Sequence, residues 1–332
     1  MRRREILGLI GGAAAVAWPL VARGQRVSAI KRVAILMGLA ETDAEGQARN
    51  KAFRQRLQKL GWIENTNIEF EYYWNVNSNK RGDELAAEVM NKRVDVIFTN
   101  SPAALAAAKQ ATRSIPIPIV FVQFTDPVED GFVASVAHPG GNITGFASSE
   151  HVMSTKWLDL LRELAPRTTR IGFIQNVEHP SWLRYNRIIQ EVAPSFGFAA
   201  VPIGVSGTSE IEEGINKLSL LPGGALLILP DTFNTINRKP IIASARQQGL
   251  PAIYPLTIFA KEGGLMSYGG DLVDLFGQAA SYVDRILRGD KAGDLPIQQA
   301  TKFDLVLNLG TAAALGLTIP SSLLARADEV IE

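Results

Sequence analysis

The 332-residue sequence contains no cysteine and only three histidines. Without cysteine there are no disulfide bonds, so the stability of the fold has to come from its packed core. A lipobox cysteine is missing as well, which predicts a form without a lipid anchor. The histidines, His138, His151 and His179, are scattered and form no His-Glu-x-x-His motif, so the sequence gives a metal site little support.

An excess of charge of one sign is also missing, because 34 basic and 33 acidic side chains leave a formal net charge of +1. Surfaces that bind nucleic acid normally show a basic excess or stripe, so no nucleic-acid partner is expected. Beyond the N-terminal region no apolar stretch is long enough for stable membrane insertion. The nucleophile elbow, the dinucleotide fingerprint and the phosphate-binding loop are all absent. The sequence therefore predicts a protein that is not an enzyme and needs no cofactor.

The N-terminal residues predict export. Arg2–Arg4 form a charged cluster, residues 6–20 are apolar and rich in glycine and alanine, and Ala22–Gly24 offers small residues at the spacing of a cleavage site. Residues 1–24 are thus a predicted signal peptide, and the mature chain is expected to start near Gln25 in a periplasm. The arginine cluster also resembles a twin-arginine signal, so the export route is either this one or the general secretory one.

Along the rest of the chain, apolar runs rich in β-branched residues alternate with segments of helical period. Val33–Met37 has the pattern of a buried strand, and Gln47–Leu60 that of the helix that follows it. The alternation runs on to a short predicted helix at Val128–Ala137 and restarts after a turn at Pro139–Asn142. Strict alternation of strands and helices predicts parallel sheets covered on both faces. We therefore expect an α/β protein with two doubly wound parallel-sheet lobes.

The restart divides the mature chain into three predicted parts. Residues 31–147 form lobe 1, residues 148–255 form lobe 2 with a long final helix at Thr235–Gln248, and residues 256–332 cross between the lobes and complete both. Two lobes joined by several crossings form a clamshell. Solutes bind in such a crevice, at the carboxyl ends of the strands.

Polar residues follow a predicted strand of lobe 1 at that edge. They are Thr99, Asn100 and Ser101, with Pro102 and Ala103 opening the next helix. The free N–H groups and positive dipole end of that helix suit a ligand carboxylate. The alternative is a plain helix cap by Ser101 with Pro102 in the first turn. Both roles are compatible, because a cap can face the cleft.

Asp231 ends a predicted strand of lobe 2, after Leu229 and Pro230. In a closed and water-poor cleft, its carboxylate would form a strong charge-assisted hydrogen bond with a ligand ammonium. The alternative is again a helix cap, for the turn that begins at Thr232.

Further candidates lie at or just after the ends of apolar strands, where side chains can reach the cleft. They are Gln123, Thr125, Asp126, Asn176, Phe233, Tyr254 and Tyr268. The aromatic rings can stack on a ring-bearing ligand, with packing in the core or hinge as the competing role. Asp126, which precedes a proline, is also a typical residue to start a turn.

Several short strings, in this order and spacing, resemble one known family, the ABC transporter substrate-binding proteins related to tryptophan- and tyrosine-type binding proteins. The resemblance runs from Val33 to Glu332 and rests on Leu60-Gly61-Trp62, Thr99–Ala103, Thr125-Asp126-Pro127-Val128, Pro139–Gly145, Leu229-Pro230-Asp231, Ser267-Tyr268-Gly269 and Leu323–Asp328. It implies the type I periplasmic binding fold and a role in solute uptake, with a membrane permease and a cytoplasmic ATPase as partners.

Residues and resemblance together predict a monomer that binds a small carboxylate-bearing metabolite between its lobes by hinge closure. The chemistry on the two sides of the cleft favours an amino acid, aromatic or branched. Two alternatives stay open. The ligand could be an aromatic acid without an ammonium group, or the protein could be a sensor module that presents its bound form to a membrane receptor.

Overall fold

The computed structural model describes residues 30–124, 126–147, 150–179 and 181–332. Residues 1–29, which include the predicted signal peptide, and residues 125, 148, 149 and 180 lie outside this part of the chain. Across the described ranges the chain forms two β-sheets packed with helices, which confirms the predicted α/β class. None of the helices in these ranges has the length and apolar character that crossing a membrane requires.

The first sheet has, among the described residues, six parallel strands in the order β11-β5-β4-β3-β1-β2. They are β1 (Lys31–Leu36), β2 (Ile68–Tyr73), β3 (Val96–Thr99), β4 (Ile119–Phe124), β5 (Ile143–Ala147) and β11 (Gln298–Gln299). The helices of this half are α1 (Ala44–Lys59), α2 (Asn79–Asn91), α3 (Pro102–Ala111) and α10 (Leu272–Leu287), with a 3-10 turn at Ala292–Asp294. We call this sheet and its helices lobe 1.

The second sheet has seven strands within the described ranges, in the order β13-β12-β10-β9-β8-β6-β7, and only the β10–β12 pair is antiparallel. They are β6 (Arg170–Asn176), β7 (Ala199–Val205), β8 (Gly224–Ile228), β9 (Ala252–Tyr254), β10 (Met266–Gly270), β12 (Phe303–Asn308) and β13 (Glu329–Ile331). The helices are α4 (Glu150–Leu164), α5 (Trp182–Val192), α6 (Thr208–Ser219), α7 (Thr232–Ile236), α8 (Arg238–Gln247), α9 (Thr257–Lys261), α11 (Leu309–Ala314) and α12 (Ser321–Leu324), with a 3-10 turn at Ala193–Phe196. This half is lobe 2.

The C-terminal part of the chain contributes to both lobes. After β10 has paired in the second sheet, α10 packs against lobe 1, where the Phe276 ring meets that of Phe98 at 5.2 Å. Trp62 Nε1 also donates a hydrogen bond to Asp284 of α10 at 2.8 Å. β11 then joins the first sheet and β12 returns to the second. The lobes are therefore linked at several points, whereas the domain boundaries drawn from the sequence stay predictions.

Each lobe is held together by a core between its sheet and helices. In lobe 1, Phe53 of α1 stacks on Phe98 of β3 with ring centroids 4.4 Å apart. In lobe 2, Trp157 of α4 and Phe173 of β6 are buried in one cluster. The apolar runs that mark the strands in the sequence are therefore the interior of the two sheets.

The helix predicted at Val128–Ala137 is wrong, since this segment consists of turns and bends. The Asp126 carboxylate accepts hydrogen bonds from the backbone N–H groups of residues 128 and 129 and holds a tight turn. Gly131 then adopts a left-handed φ of 69°. A left-handed residue ends a helical turn, so the backbone cannot continue as a helix.

β5 was not predicted, because its glycine and its neighbouring turn made the segment look like a boundary. In the structure Gly145 of β5 lies directly against Phe121 of β4, and a Cβ at Gly145 would come within 2.1 Å of the Phe121 carbonyl oxygen. Glycine is thus required for this close approach between strands.

The single helix predicted at Thr235–Gln248 is divided into α7 and α8 near Asn237. Pro240 has no backbone N–H and is tolerated only in the first turn of a helix, which favours a new start just before it. The short elements β11, β13, α9, α11 and α12 were not predicted either, because they span few residues.

Candidate functional site

A cavity of about 140 Å³ lies between the lobes at the carboxyl ends of their strands. We call it cavity 1. Its lining from lobe 1 consists of Asn77, Ser78, Asn79, Ser101, Pro102, Ala103, Ala106 and Phe132, and its lining from lobe 2 of Asn176, Glu178, His179, Asp231, Thr232 and Phe233. The structure thus brings Ser101, Ala103, Asn176, Asp231 and Phe233, all singled out in the sequence, onto one space.

On the lobe 1 side, Ser101 is the N-cap of α3. Its Oγ accepts a hydrogen bond from the backbone N–H of Ala104 at 3.3 Å and donates one to the carbonyl oxygen of Val76. The hydroxyl is therefore committed within the protein. What the helix start offers to cavity 1 is its positive dipole end rather than a free hydroxyl.

The side chains of Thr99 and Asn100, which precede Ser101, form hydrogen bonds within the protein. Thr99 Oγ1 donates to the carbonyl oxygen of Leu36 and accepts from the N–H of Ser101, both at 3.1 Å. Asn100 Oδ1 accepts from the N–H of Gly38 at 3.1 Å. Neither residue lines cavity 1, so both brace the β1–α1 loop against the start of α3.

On the lobe 2 side, Asp231 is the N-cap of α7 and is 3% exposed. Its carboxylate accepts hydrogen bonds from the backbone N–H of Asn234 and, at 3.1 Å, from that of Asn176. Burial raises the pKa of Asp231 to about 7, although the backbone N–H groups act in the opposite direction. No cationic side chain of the described residues pairs with it. A buried carboxylate without a counter-ion is suited to a cationic ligand group.

A second cavity, cavity 2, of about 270 Å³ lies where the chain crosses between the lobes. Its lining is largely apolar: Gln123, Ala147, Val152, Met153, Trp157, Tyr185, Pro230, Pro255, Leu256, Gly269, Gly270, Leu272, Leu275, Gln299, Ala300 and Phe303. Gln123 reaches it from a bulge in β4 with a left-handed φ of 66°. Since Pro230 lines cavity 2 and Asp231 lines cavity 1, the two spaces adjoin along the chain.

The other predicted site residues lie elsewhere. Tyr254 is 1% exposed in the core, where its ring stacks on Phe259 at 5.1 Å and burial raises its pKa. Tyr268 packs its ring on Phe303 at 6.0 Å, and its carbonyl oxygen accepts from Trp157 Nε1. Neither tyrosine lines the two cavities. Asp126 serves its own turn, as described above, and Thr125 lies outside the described residues.

Sequence reasoning missed several residues of cavity 1, among them Asn77, Phe132 and His179. Asn77 and His179 lie in the loops that follow β2 and β6, so the rule that ligands bind beyond strand ends would have found them. Phe132 lies in the turn segment after β4, where the sequence predicts a helix, so no local signal points to it.

Two groups of ion pairs join the lobes. Arg238 of lobe 2 contacts Asp43 of lobe 1 at 2.7 Å and Glu262 of its own lobe at 3.0 Å. Arg184 of lobe 2 contacts Glu129 at 2.8 Å and Asp130 at 2.7 Å, both of lobe 1. The described arrangement is therefore a closed cleft.

The stability of the unliganded protein should depend on pH through Asp231. Its pKa is about 7 in the fold against 3.8 without the fold, so the folded state binds the proton more tightly. This contribution is fully present below pH 3.8 and is lost as the pH rises toward 7. In thermal unfolding, the midpoint of wild type should therefore fall relative to the midpoint of Asp231→Asn as the pH rises over this range. A difference that stays constant with pH would contradict the raised pKa.

This chain is similar to known proteins in both sequence and structure. A family model described as ABC transporter substrate binding protein matches residues 32–331. A tyrosine-binding protein of Clostridioides difficile is 27% identical over 268 residues, which cover 80% of this chain and 76% of that protein.

Solved structures match over almost the whole chain. A conserved domain protein of Vibrio cholerae has a TM-score of 0.83 and 26% identity, covering 90% of this chain and 99% of that one. An ABC domain of Streptococcus pneumoniae in complex with L-Trp also has a TM-score of 0.83, with 20% identity, covering 91% of this chain and all (100%) of that one.

Proposed function

The chain belongs to the family of ABC transporter substrate-binding proteins, and from this premise we propose that it captures a small solute between its two lobes and delivers it to an ABC importer. The family resemblance and the type I periplasmic binding fold predicted from the sequence are confirmed. A permease and an ATPase are the partners that this role requires. The predicted export signal, with Arg2–Arg4 and the apolar residues 6–20, supports a location of the protein outside the cytoplasmic membrane.

The ligand we propose is an amino acid. The observation that carries this proposal is the Asp231 carboxylate, buried beside cavity 1 without a cationic partner among the described side chains. A ligand ammonium would supply the missing positive charge. Across the same cavity, the N-terminus of α3 at Ser101–Pro102 presents the positive end of a helix dipole to a ligand carboxylate. The two charges of a zwitterion thus have one complement on each lobe.

The apolar lining of cavity 2 supports a large side chain on that amino acid. Trp157, Tyr185 and Phe303 line this cavity. Pro230, the residue before Asp231, lines it as well. Aromatic surfaces of this kind stack on rings and also bury aliphatic groups. The names of two similar proteins agree with this class, since one is a tyrosine-binding protein and another was solved with L-Trp.

Closure of the cleft is the mechanism by which we propose that the ligand is held. A ligand that touches both lobes stabilises the closed state by its differential affinity for that state. In the closed arrangement a Cβ at Gly38 of lobe 1 would come within 2.8 Å of Thr232 Cγ2 of lobe 2, so the backbones approach closely at this point. Release to the importer would then need the lobes to part.

A panel of compounds should identify the ligand class by thermal shift. We expect L-tyrosine, L-tryptophan, L-phenylalanine or a branched-chain amino acid to raise the unfolding temperature, because at 100 times Kd a ligand stabilises the fold by about 2.7 kcal/mol. The matched control is 3-phenylpropionate, which has the ring and the carboxylate without the ammonium. A shift with this acid and with none of the amino acids would favour the aromatic-acid alternative and overturn the role of Asp231.

A further inference from the structure

The loop between β6 and α5 holds a histidine whose ring is fixed from one side. The Nδ1 atom of His179 accepts a hydrogen bond from the backbone N–H of Ser181 at 3.2 Å and lies 2.8 Å from the Ser181 hydroxyl. Gln175 Nε2, on a side chain that is fully buried, lies 3.3 Å from the same Nδ1 atom. The orientation of the ring is therefore set by its neighbours before any ligand arrives.

These contacts also decide which ring nitrogen of His179 carries the proton. The Ser181 backbone N–H can only donate, so Nδ1 has to be the unprotonated acceptor. In a neutral imidazole the proton then sits on Nε2. Burial, with a smaller effect of the Arg184 guanidinium, lowers the pKa of His179 to about 4, so the ring is neutral at neutral pH.

The Ser181 side chain holds the His179 ring instead of capping helix α5. Ser181 occupies the N-cap position of α5, where a serine hydroxyl usually binds a backbone N–H of the first turn. In this structure the side chain makes no such cap and instead contacts His179 and Gln175. The serine thus supports the imidazole rather than its own helix.

The protonated side of the ring remains available. Nε2 of His179 makes no hydrogen bond to any residue in the described ranges, while His179 lines cavity 1 together with Asp231 and Asn176. A neutral donor that lines the same cavity as a buried carboxylate can distinguish the two ends of a zwitterion. Asp231 accepts from the ammonium, and an N–H donor needs an acceptor oxygen.

We propose that His179 is a specificity-determining ligand contact, whose Nε2–H donates a hydrogen bond to a carboxylate oxygen of the bound amino acid. This inference rests on the proposed function, because it places the amino-acid head group in cavity 1. It adds a requirement that the buried carboxylate of Asp231 does not impose, since Asp231 alone would accept any amine of the right size. His179 thereby selects amino acids over the corresponding decarboxylated amines.

The test compares L-tryptophan with tryptamine, which lacks only the carboxylate, by calorimetry with tryptamine measured in competition. We expect His179→Leu to weaken L-tryptophan binding by about 10- to 100-fold, the range for a hydrogen bond to a charged acceptor. Tryptamine affinity should stay the same in both proteins. His179→Gln should keep most of the L-tryptophan affinity, because its side-chain amide can place an N–H donor near the Nε2 position. Thermal unfolding of each unliganded variant shows that it is folded.

The possible results are distinct. If wild type binds L-tryptophan and His179→Leu binds it equally well, the inference is overturned while the proposed function stands. If His179→Leu loses the same factor for both compounds, the loss comes from general damage to the cleft, which also overturns the inference. If wild type binds none of L-tryptophan, L-tyrosine, L-phenylalanine and the branched-chain amino acids, the proposed ligand class fails and the inference fails with it.

Discussion

Replacement of Asp231 by asparagine is expected to weaken amino-acid binding by about 2–5 kcal/mol, the cost of leaving one partner of a buried charged pair unpaired. Asparagine has nearly the same shape and is an equally good N-cap, so α7 should keep its start. The substitution therefore removes the charge while it retains the capping role. Titration calorimetry with the amino acid that gives the largest thermal shift measures the loss.

The variant Asp231→Ala separates the two roles of this side chain. Alanine removes the charge and the cap together, so it should lose the same binding energy as asparagine and, in addition, about 1 kcal/mol of fold stability. Asparagine should retain the cap and therefore more of this stability than alanine, although its amide nitrogen cannot accept the hydrogen bond that the Asn176 N–H donates to the carboxylate in wild type. Full amino-acid affinity in Asp231→Asn would show that Asp231 is a helix cap only.

Removal of the Arg238 side chain is expected to destabilise the closed state of the cleft, because its ion pair with Asp43 is lost. Arg238 is 8% exposed and joins Asp43 of lobe 1, which is 14% exposed, to Glu262 of lobe 2. Burial would raise the pKa of Asp43, but its hydrogen bond and charge interaction with Arg238 outweigh this and lower it. Arg238 therefore stabilises the ionised Asp43 in the closed cleft.

In Arg238→Met the closed state would contain a poorly solvated carboxylate without its cation. We expect this variant to lose up to about 3 kcal/mol of ligand affinity, the lower end for breaking a buried pair, because Asp43 regains water when the cleft opens. Small-angle scattering should show a larger radius of gyration than for wild type at the same ligand concentration. Affinity by calorimetry and radius by scattering are thus expected to change together.

The matched control for Arg238 is Arg285→Met. Arg285 pairs with Asp290 at 2.6 Å within one lobe, and the two side chains are 53% and 44% exposed. Exposed pairs of this kind contribute about 0–1 kcal/mol, so affinity and radius should both stay at the wild-type values. If Arg238→Met behaves like Arg285→Met, the contact with Asp43 does not stabilise the closed cleft.

Local sequence patterns predict some residues of the candidate site. Ser101 and Asp231 were found from the sequence because each follows a buried strand and precedes a helix, and these signals lie within a few residues of the side chain. Their shared position on cavity 1 follows from the rule that ligands bind beyond the carboxyl ends of parallel strands. That they bind a ligand stays a prediction.

Side chains with the same local pattern turned out to differ. Thr99 ends β3 and Asn100 follows it, but their side chains bond to Leu36 and Gly38, which come from a strand and loop far away in the sequence. Tyr254 also ends a strand, yet it is buried against Phe259. Whether a polar or aromatic group at a strand end faces the cleft depends on what packs against it, and no local signal contains that information.

By itself, the sequence determined the α/β class, the two sheets and the edge where the cleft lies, because hydrophobic period and chain order act over short distances. Only the tertiary structure decided which groups meet there. The Arg238–Asp43 pair joins residues 195 positions apart, and cavity 1 collects loops from both lobes around His179 and Asp231. Such contacts depend on how two separately formed sheets are set against each other. Their geometry is fixed by packing and burial across the whole molecule, so it is visible only when the chain is folded.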